Sequence, residues 1–420
     1  MKTQAVRLYG KHDLRLEEFD LPEIGDDEIL VRVVSDSICM STYKAASLGV
    51  DHKRVPADIA EHPVIVGHEM SGVIERVGAK WKSRYKAGAK FAIQPALNYK
   101  GSMDSPGYSY RWCGGAATYA IMPREVMELD CLLDYAGDSF FQASLAEPMS
   151  CIIGAFHASY HTQAGSYEHS MGVVKGGRMA ILAGAGPMGL GAVDYALHGG
   201  RAPGLLVVAD IDEARLERAR LLFPAAEAAK VGADLRFVNT GSMPDPVAGL
   251  MELSGGAGYD DAFVFAPSAP VVEQGGRILG RDGCLNFFAG PTDTGLTARI
   301  NFYDVHYAST HVMGTSGGNT EDMREALRMA ERGELNPAVM VTHVGGLDSA
   351  AEATLHLPDK PAGKKLIYTG LSMPLTAIVD FAALGAADPR FAELDELCTA
   401  HGGLWNLEAE RCLLKNWPAI

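Results

Sequence analysis

The chain has 420 residues, of which 47% are apolar and 21% charged, and its formal net charge is −15. That much apolar material excludes a largely disordered chain and is enough for two or three domains. The acidic balance excludes a surface built to neutralise nucleic-acid phosphates or to dock on anionic membranes.

The seven cysteines are odd in number and widely spaced, which argues against a disulfide framework and for a reducing compartment. The first residues, MKTQAVRLYGKHDL, lack the apolar stretch of a secretory signal. The longest apolar-leaning run, 179–193, is too short and too glycine-broken to span a membrane. A cytoplasmic protein is expected.

The first part of the chain reads as short strands. Residues 5–9, 14–19, 28–35, 64–66, 71–77 and 90–94 are alternating or β-branched. Gly, Pro and Asp breaks separate them, as in a small irregular β-barrel. Residues 98–115 form a long loop rich in glycine and aromatics, and loops of that length in compact domains usually carry function. A helix is predicted over 149–159 and a loop insertion over 161–175. From Gly177 onward strand and helix alternate: strand 178–182, helix 187–198, strand 205–209, helix 212–222, then apolar runs at 261–266 and 284–289. This rhythm predicts a doubly wound parallel sheet with helices on both faces. A helix follows at 320–332 and a closing strand at 366–369. Residues 371–420 read as a mostly helical extension. The expected division is a catalytic barrel domain over 1–155, a nucleotide-binding domain over 156–300, a return to the first over 301–370, and the extension over 371–420.

The stretch 182–189, LAGAGPMG, contains G-x-G-x-x-G. Alone, such a string is only a glycine turn. Here a strand precedes it, a helix follows it, and a second strand ends at Asp210, about 20 residues beyond Gly189. Gly184 permits the tight turn, Gly186 lets the backbone approach a pyrophosphate, and Gly189 lets the helix pack on the strand. Pro187 and Met188 open a helix whose N-terminus offers N–H groups to an anion. Asp210 is placed to accept from ribose hydroxyls and to repel a 2′-phosphate, which favours NAD over NADP.

Three further strings carry metal chemistry: Cys39 in SICMST, His68 and Glu69 in GHE, and Glu147 in LAEP. Thiolate, imidazole and carboxylate together suit zinc. Each also has a bland reading. A lone cysteine is usually a small buried hydrophobe, a His-Glu pair is usually surface, and Glu-Pro often just starts a helix.

The order Cys39-x-Ser41, GHE-x-x-G, Glu147-Pro148 and G-x-G-x-x-G resembles the zinc-dependent medium-chain dehydrogenase/reductase family over about residues 1–370. The resemblance implies a GroES-like β-barrel catalytic domain with an inserted Rossmann domain and an active site in the cleft between them. It implies hydride transfer between a zinc-bound alkoxide and NAD. It makes Cys39, His68 and Glu147 zinc ligands. Glu69 becomes a carboxylate that binds the metal or alternates with water or substrate, and Ser41 the hydroxyl that passes the substrate proton onward. Two positions depart. Thr42 stands where an aspartate orients the zinc-binding histidine, and Lys44 where a histidine ends the proton relay. Cys113 and Cys131 are isolated, so one catalytic zinc and no structural zinc is expected. A homo-oligomer, dimer or tetramer, is also implied.

Longer strings, among them 183–200, 98–112, 160–172, 283–293, 311–319 and 336–348, resemble the branch of that family acting on sugar and polyol phosphates. That match includes the C-terminal extension. The implied redox pair is a ketose phosphate and a polyol phosphate. A phosphate needs a cationic contact. Arg111, among Tyr108, Tyr110 and Trp112, is the first candidate, because guanidinium matches phosphate bidentately. Lys44, Lys53, Arg54 and Lys100 are the others. An unphosphorylated polyol or an amino alcohol is the alternative substrate. A non-catalytic NAD- or zinc-binding scaffold is the alternative of another class.

Overall fold

The computed structural model describes residues 1–163, 165–359 and 363–420. Two compact units emerge: Met1–Glu147 with Met323–Ile420, and Pro148–Asp322. The C-terminal residues 371–420 therefore group with the first unit. Among the described residues no helix is long and apolar enough to cross a membrane.

The first unit is built on an eight-stranded sheet. Its spatial order is Thr376–Ala377, Val341–Gly346, Lys364–Tyr368, Ile29–Ile38, Ser71–Val77, Lys90–Ile93 and Leu132–Asp134, with Tyr119–Met122 also paired to Ile29–Ile38. The central strand reads ILVRVVSDSI and is buried along nearly all its length, its polar stretch Ser35, Asp36 and Ser37 included. Lys2–Gly10 pairs with Asp13–Asp20 and Val64–Ile65 in a smaller sheet. Antiparallel pairing of Ile29–Ile38 with Lys364–Tyr368 sets Ser37 against Leu366 and Ile38 against Lys365. This register brings the far end of the chain beside the residues that precede Cys39. Cys113 and Cys131 pack as small apolar side chains in a core with Val31, Val33, Ile74 and Phe91.

The second unit carries a six-stranded parallel sheet in the order Asp234–Asn239, Leu205–Asp210, Arg178–Leu182, Tyr259–Val264, Leu279–Phe287, His311–Met313. Counted along the chain, that is the doubly wound order of a Rossmann sheet, as the sequence rhythm predicts. Asp234–Asn239 is an edge strand absent from the expected elements, although Asp234, Leu235, Arg236 and Phe237 alternate polar and apolar.

One helix differs from expectation. It spans Phe140–Ala158 and carries Pro148 inside, rather than beginning after that proline. Proline normally opens or breaks a helix because it lacks a backbone donor, which is why the sequence pattern points to a later start. The region 161–175 is not wholly loop either: Tyr160–Thr162 and His169–Met171 form a short hairpin.

Candidate metal centre and nucleotide turn

Cys39 directly follows the central strand and precedes the helix Met40–Leu48. His68 and Glu69 lie in the turn between Val64–Ile65 and Ser71–Val77. That turn demands glycine: Gly67 has φ +90°, and a Cβ there would fall 2.2 Å from Asp36 Oδ2. Glu147 lies in the helix Phe140–Ala158. One ligand atom each from Cys39, His68 and Glu69 lies within 4.8 Å of the others. Glu147 is outside this tight group and half-buried. Burial, followed by the neighbouring Glu69 charge, pushes its carboxyl up to about 7.

Both ring nitrogens of buried His68 are engaged. Nδ1 lies 3.2 Å from Thr42 Oγ1, and Nε2 lies 3.3 Å from the Tyr108 hydroxyl. Thr42 thus occupies the aspartate's place with a neutral hydroxyl. Such a partner orients the ring without adding negative charge behind it. Cys39 Sγ sits 2.9 Å from Ser41 Oγ. Burial, reinforced by Glu69, raises the Cys39 thiol above its ordinary value. Forming a thiolate here therefore calls for a cation.

Glu69 is fully buried and paired with Lys364, whose ammonium donates to both carboxylate oxygens; Ser37 Oγ donates to one of them. Burial alone would raise the Glu69 carboxyl. Lys364, with His68, outweighs it and holds the group below its ordinary value. The same pair raises Lys364 in spite of its burial. Asp36 accepts the Glu69 backbone N–H at 3.1 Å, and burial pushes its carboxyl up to about 7.

The cationic candidates do not gather in one place, and Lys100 lies 4.8 Å from the centroid of the Tyr99 ring. Burial lowers the Lys44 ammonium, partly offset by the nearby Cys39. The Arg54 guanidinium lies 5.5 Å from the centroid of the Tyr108 ring. His52 stacks on the same ring at 5.7 Å. Burial first, then Arg54, Lys53 and Lys44, drives its imidazole down to about 4, so it is neutral at pH 7. Arg111 is exposed and lies 5.2 Å from the Trp112 ring centroid. Trp112 packs on Leu21, Leu30 and Ile121, whereas Tyr108 belongs to the core of Ile38, Ala45 and Val66.

In the second unit, the glycines of the turn differ in what confines them. A Cβ on Gly189 would meet Gly184 O at 2.2 Å, and one on Gly184 would meet Ile181 Cγ2 at 2.7 Å. These two hold the helix against the strand. A Cβ on Gly186 would meet nothing within 4 Å. That open space at the N-terminus of the helix Pro187–His198, which has no side-chain cap, fits a phosphate. Asp210 is buried and accepts the N–H groups of Ala185 at 3.0 Å and Ile211 at 2.8 Å. Its carboxylate ties the end of the second strand to the glycine turn.

Three of these partners escape sequence reasoning. Lys364 begins KKLIY, which reads only as a strand. Thr42 reads as a departure and not as a partner. Tyr108 carried the one usable signal, an aromatic within a long loop.

Residues 25–130 match the family model of an alcohol dehydrogenase GroES-like domain, and 187–332 match that of a zinc-binding dehydrogenase. The chain is 52% identical over 414 residues to mannitol-1-phosphate 5-dehydrogenase of Aliivibrio fischeri, covering 99% of this chain and 98% of that protein. It is 49% identical over 412 residues to L-sorbose 1-phosphate reductase of Klebsiella pneumoniae, covering 98% and 97%. The solved structure of 2R,3R-butanediol dehydrogenase from Bacillus subtilis shares the fold, with a TM-score of 0.70 at 21% identity over 87% of this chain and 99% of that one. Identity near one half along the full length, joined to a GroES-like domain and a doubly wound sheet, leaves one assignment: the chain belongs to the zinc-dependent medium-chain dehydrogenase/reductase family and is an oxidoreductase that uses zinc and NAD(P).

Proposed function

We propose that this enzyme interconverts a polyol phosphate and a ketose phosphate, with zinc held by Cys39, His68 and Glu147 and with NAD as the hydride carrier. The observation that carries this reading is a pair of cations beside the candidate ligands: Arg54 lies over the ring of Tyr108, whose hydroxyl meets His68, and Lys44 is near enough to Cys39 to feel its charge. The names of two relatives about half identical over the whole chain support it. The donors fit zinc, being one thiol, one imidazole and carboxylates. The open space at Gly186 fits the pyrophosphate of a dinucleotide.

When bound, zinc polarises the substrate oxygen and the nicotinamide exchanges a hydride with the carbon that bears it. The protein's own groups do the rest. Thr42 holds the His68 ring at Nδ1, so Nε2, which now meets the Tyr108 hydroxyl, is the nitrogen that would bind zinc. Lys364 and Ser37 keep Glu69 ionised while buried, so that it presents a fixed negative charge beside the ligands. Ser41 would relay the hydroxyl proton of the substrate, taking it on its oxygen as its own proton leaves to water. Lys44 and Arg54 bind the phosphate and thereby place the reacting hydroxyl.

The test compares sorbitol 6-phosphate and mannitol 1-phosphate with the free polyols at matched NAD and zinc. A charge-assisted phosphate contact contributes about 1.5–3 kcal/mol, which is about one to two orders of magnitude in kcat/KM. Arg54→Ala should lower kcat/KM by that amount for the phosphorylated substrates alone. A selective loss in Arg111→Ala instead would move the phosphate to the Trp112 patch. Equal kcat/KM with and without phosphate would install a free polyol as the substrate.

Cofactor choice gives a second expected result. NAD should be used with the higher kcat/KM, because a 2′-phosphate would meet the Asp210 carboxylate. Asp210→Ala should narrow that preference by about tenfold, the worth of one like-charge contact. Wild-type enzyme that works equally well with NADP would take Asp210 out of the ribose site.

A further inference from the structure

The C-terminal residues contribute a buried carboxylate whose partners lie on the helix Phe140–Ala158 and the strand Lys364–Tyr368. Glu410 is 1% exposed and sits in the helix Leu407–Asn416. Its Oε2 accepts the backbone N–H of Phe140 at 2.8 Å, and its Oε1 accepts that of Phe141 at 2.8 Å. These are the first two residues of the helix Phe140–Ala158, where N–H groups have no acceptor within the helix. A carboxylate also suits the positive end of the helix dipole. The cap of this helix thus comes from a residue 270 positions later in the chain.

Oε1 of Glu410 has a second partner, the hydroxyl of Tyr368, at 2.9 Å. That hydroxyl in turn accepts the Trp405 indole N–H at 2.7 Å. Tyr368, Trp405 and Glu410 are all buried. Tyr368 ends the strand Lys364–Tyr368 and lies on the same strand face as Lys364, since alternate residues share a face. Lys364 is the partner of Glu69. Glu147 lies about two helical turns beyond Phe140 and so near the same side of its helix. One carboxylate therefore joins the start of the helix carrying Glu147 to the strand carrying Lys364.

We propose that Glu410 is a positioning residue: it sets the Glu147 helix against the Lys364 strand and so fixes the distance between the two acidic side chains of the metal centre. This inference rests on the reading of Glu147 as a zinc ligand. It gives the C-terminal segment a task in the chemistry, beyond covering the first unit.

The test follows zinc release from the holoenzyme to a colorimetric chelator, alongside thermal stability and steady-state kinetics. Glu410→Ala should release zinc about tenfold faster, the scale of losing an outer partner of a metal site, with kcat falling more than KM rises. Glu410→Gln, which keeps the volume and one acceptor oxygen, should release zinc at an intermediate rate; it also carries the test if the alanine variant does not fold. The control is Phe391→Ala, which removes a ring packed on Phe381 and Trp417. It should lower stability while zinc release stays at the wild-type rate. Equal release from both Glu410 variants and Phe391→Ala would make Glu410 merely structural and overturn the proposal. Glu147→Gln separates the two levels of argument. If it releases zinc fast while the Glu410 variants behave as wild type, only this proposal falls. If it retains zinc normally, the ligand assignment falls and takes the proposal with it.

Discussion

Replacing Cys39 with serine should leave a folded chain nearly without zinc and without dehydrogenase activity. Cys39 supplies the one thiol in the tight donor group, alongside His68 and Glu69. A hydroxyl at that position is a far weaker zinc ligand than a thiolate. Burial already disfavours the Cys39 thiolate, so the metal and the ionised sulfur depend on each other. Wild-type enzyme should carry about one zinc per chain, the stoichiometry of a single catalytic site. The variant should lose more than about 100-fold in kcat/KM, beyond what loss of an outer partner costs. Metal analysis after gel filtration, with circular dichroism to check the fold, measures both. Two tightly held zincs in the wild type, or a full zinc in the variant, would contradict the assignment.

Lys364→Met should destabilise the protein by about 3–5 kcal/mol near neutral pH, because it removes one partner of a buried ion pair and leaves the other charge uncompensated. Lys364 and Glu69 are both shielded from water, and the remaining donor to the Glu69 carboxylate, Ser37, is neutral. Urea unfolding of the metal-free protein reads the loss directly. Adding Glu69→Gln should recover most of it, since the stranded charge is then gone. The pH dependence has a definite sign. In the single variant, burial raises the folded-state value of Glu69 above its unfolded one. The deficit is then largest at high pH and shrinks as protonation removes the buried charge. A variant with the wild-type midpoint at neutral pH would mean that Glu69 is neutral in the native enzyme.

The features that were legible in the chain are those whose parts lie close together in it. The glycine turn at 184–189 occupies a few consecutive residues, with its strand before and its helix after. Backbone sterics act locally there: Gly189 is confined by Gly184 and Gly184 by Ile181, three residues before it. The GHE string is similar in part, since the positive φ of Gly67 belongs to a single position, although the Asp36 that also confines it comes from the neighbouring strand. Proline misled for the same reason. Pro148 is a local stop signal, but the helix extends back to Phe140, where its cap is a side chain from another part of the chain.

The amino-acid sequence by itself therefore determined the fold class, the parallel sheet with its glycine turn, and the chemical types that Cys39, His68 and Glu69 bring together. Only the tertiary structure decided their partners. Lys364 meets Glu69 across 295 residues because the Lys364–Tyr368 strand pairs with Ile29–Ile38 in one particular register. Thr42 meets His68, Arg54 and His52 stack on Tyr108, and Glu410 caps a distant helix, through the same kind of long-range packing. A buried charge takes its partner from whichever element the fold lays beside it, and no local pattern of residues encodes that choice.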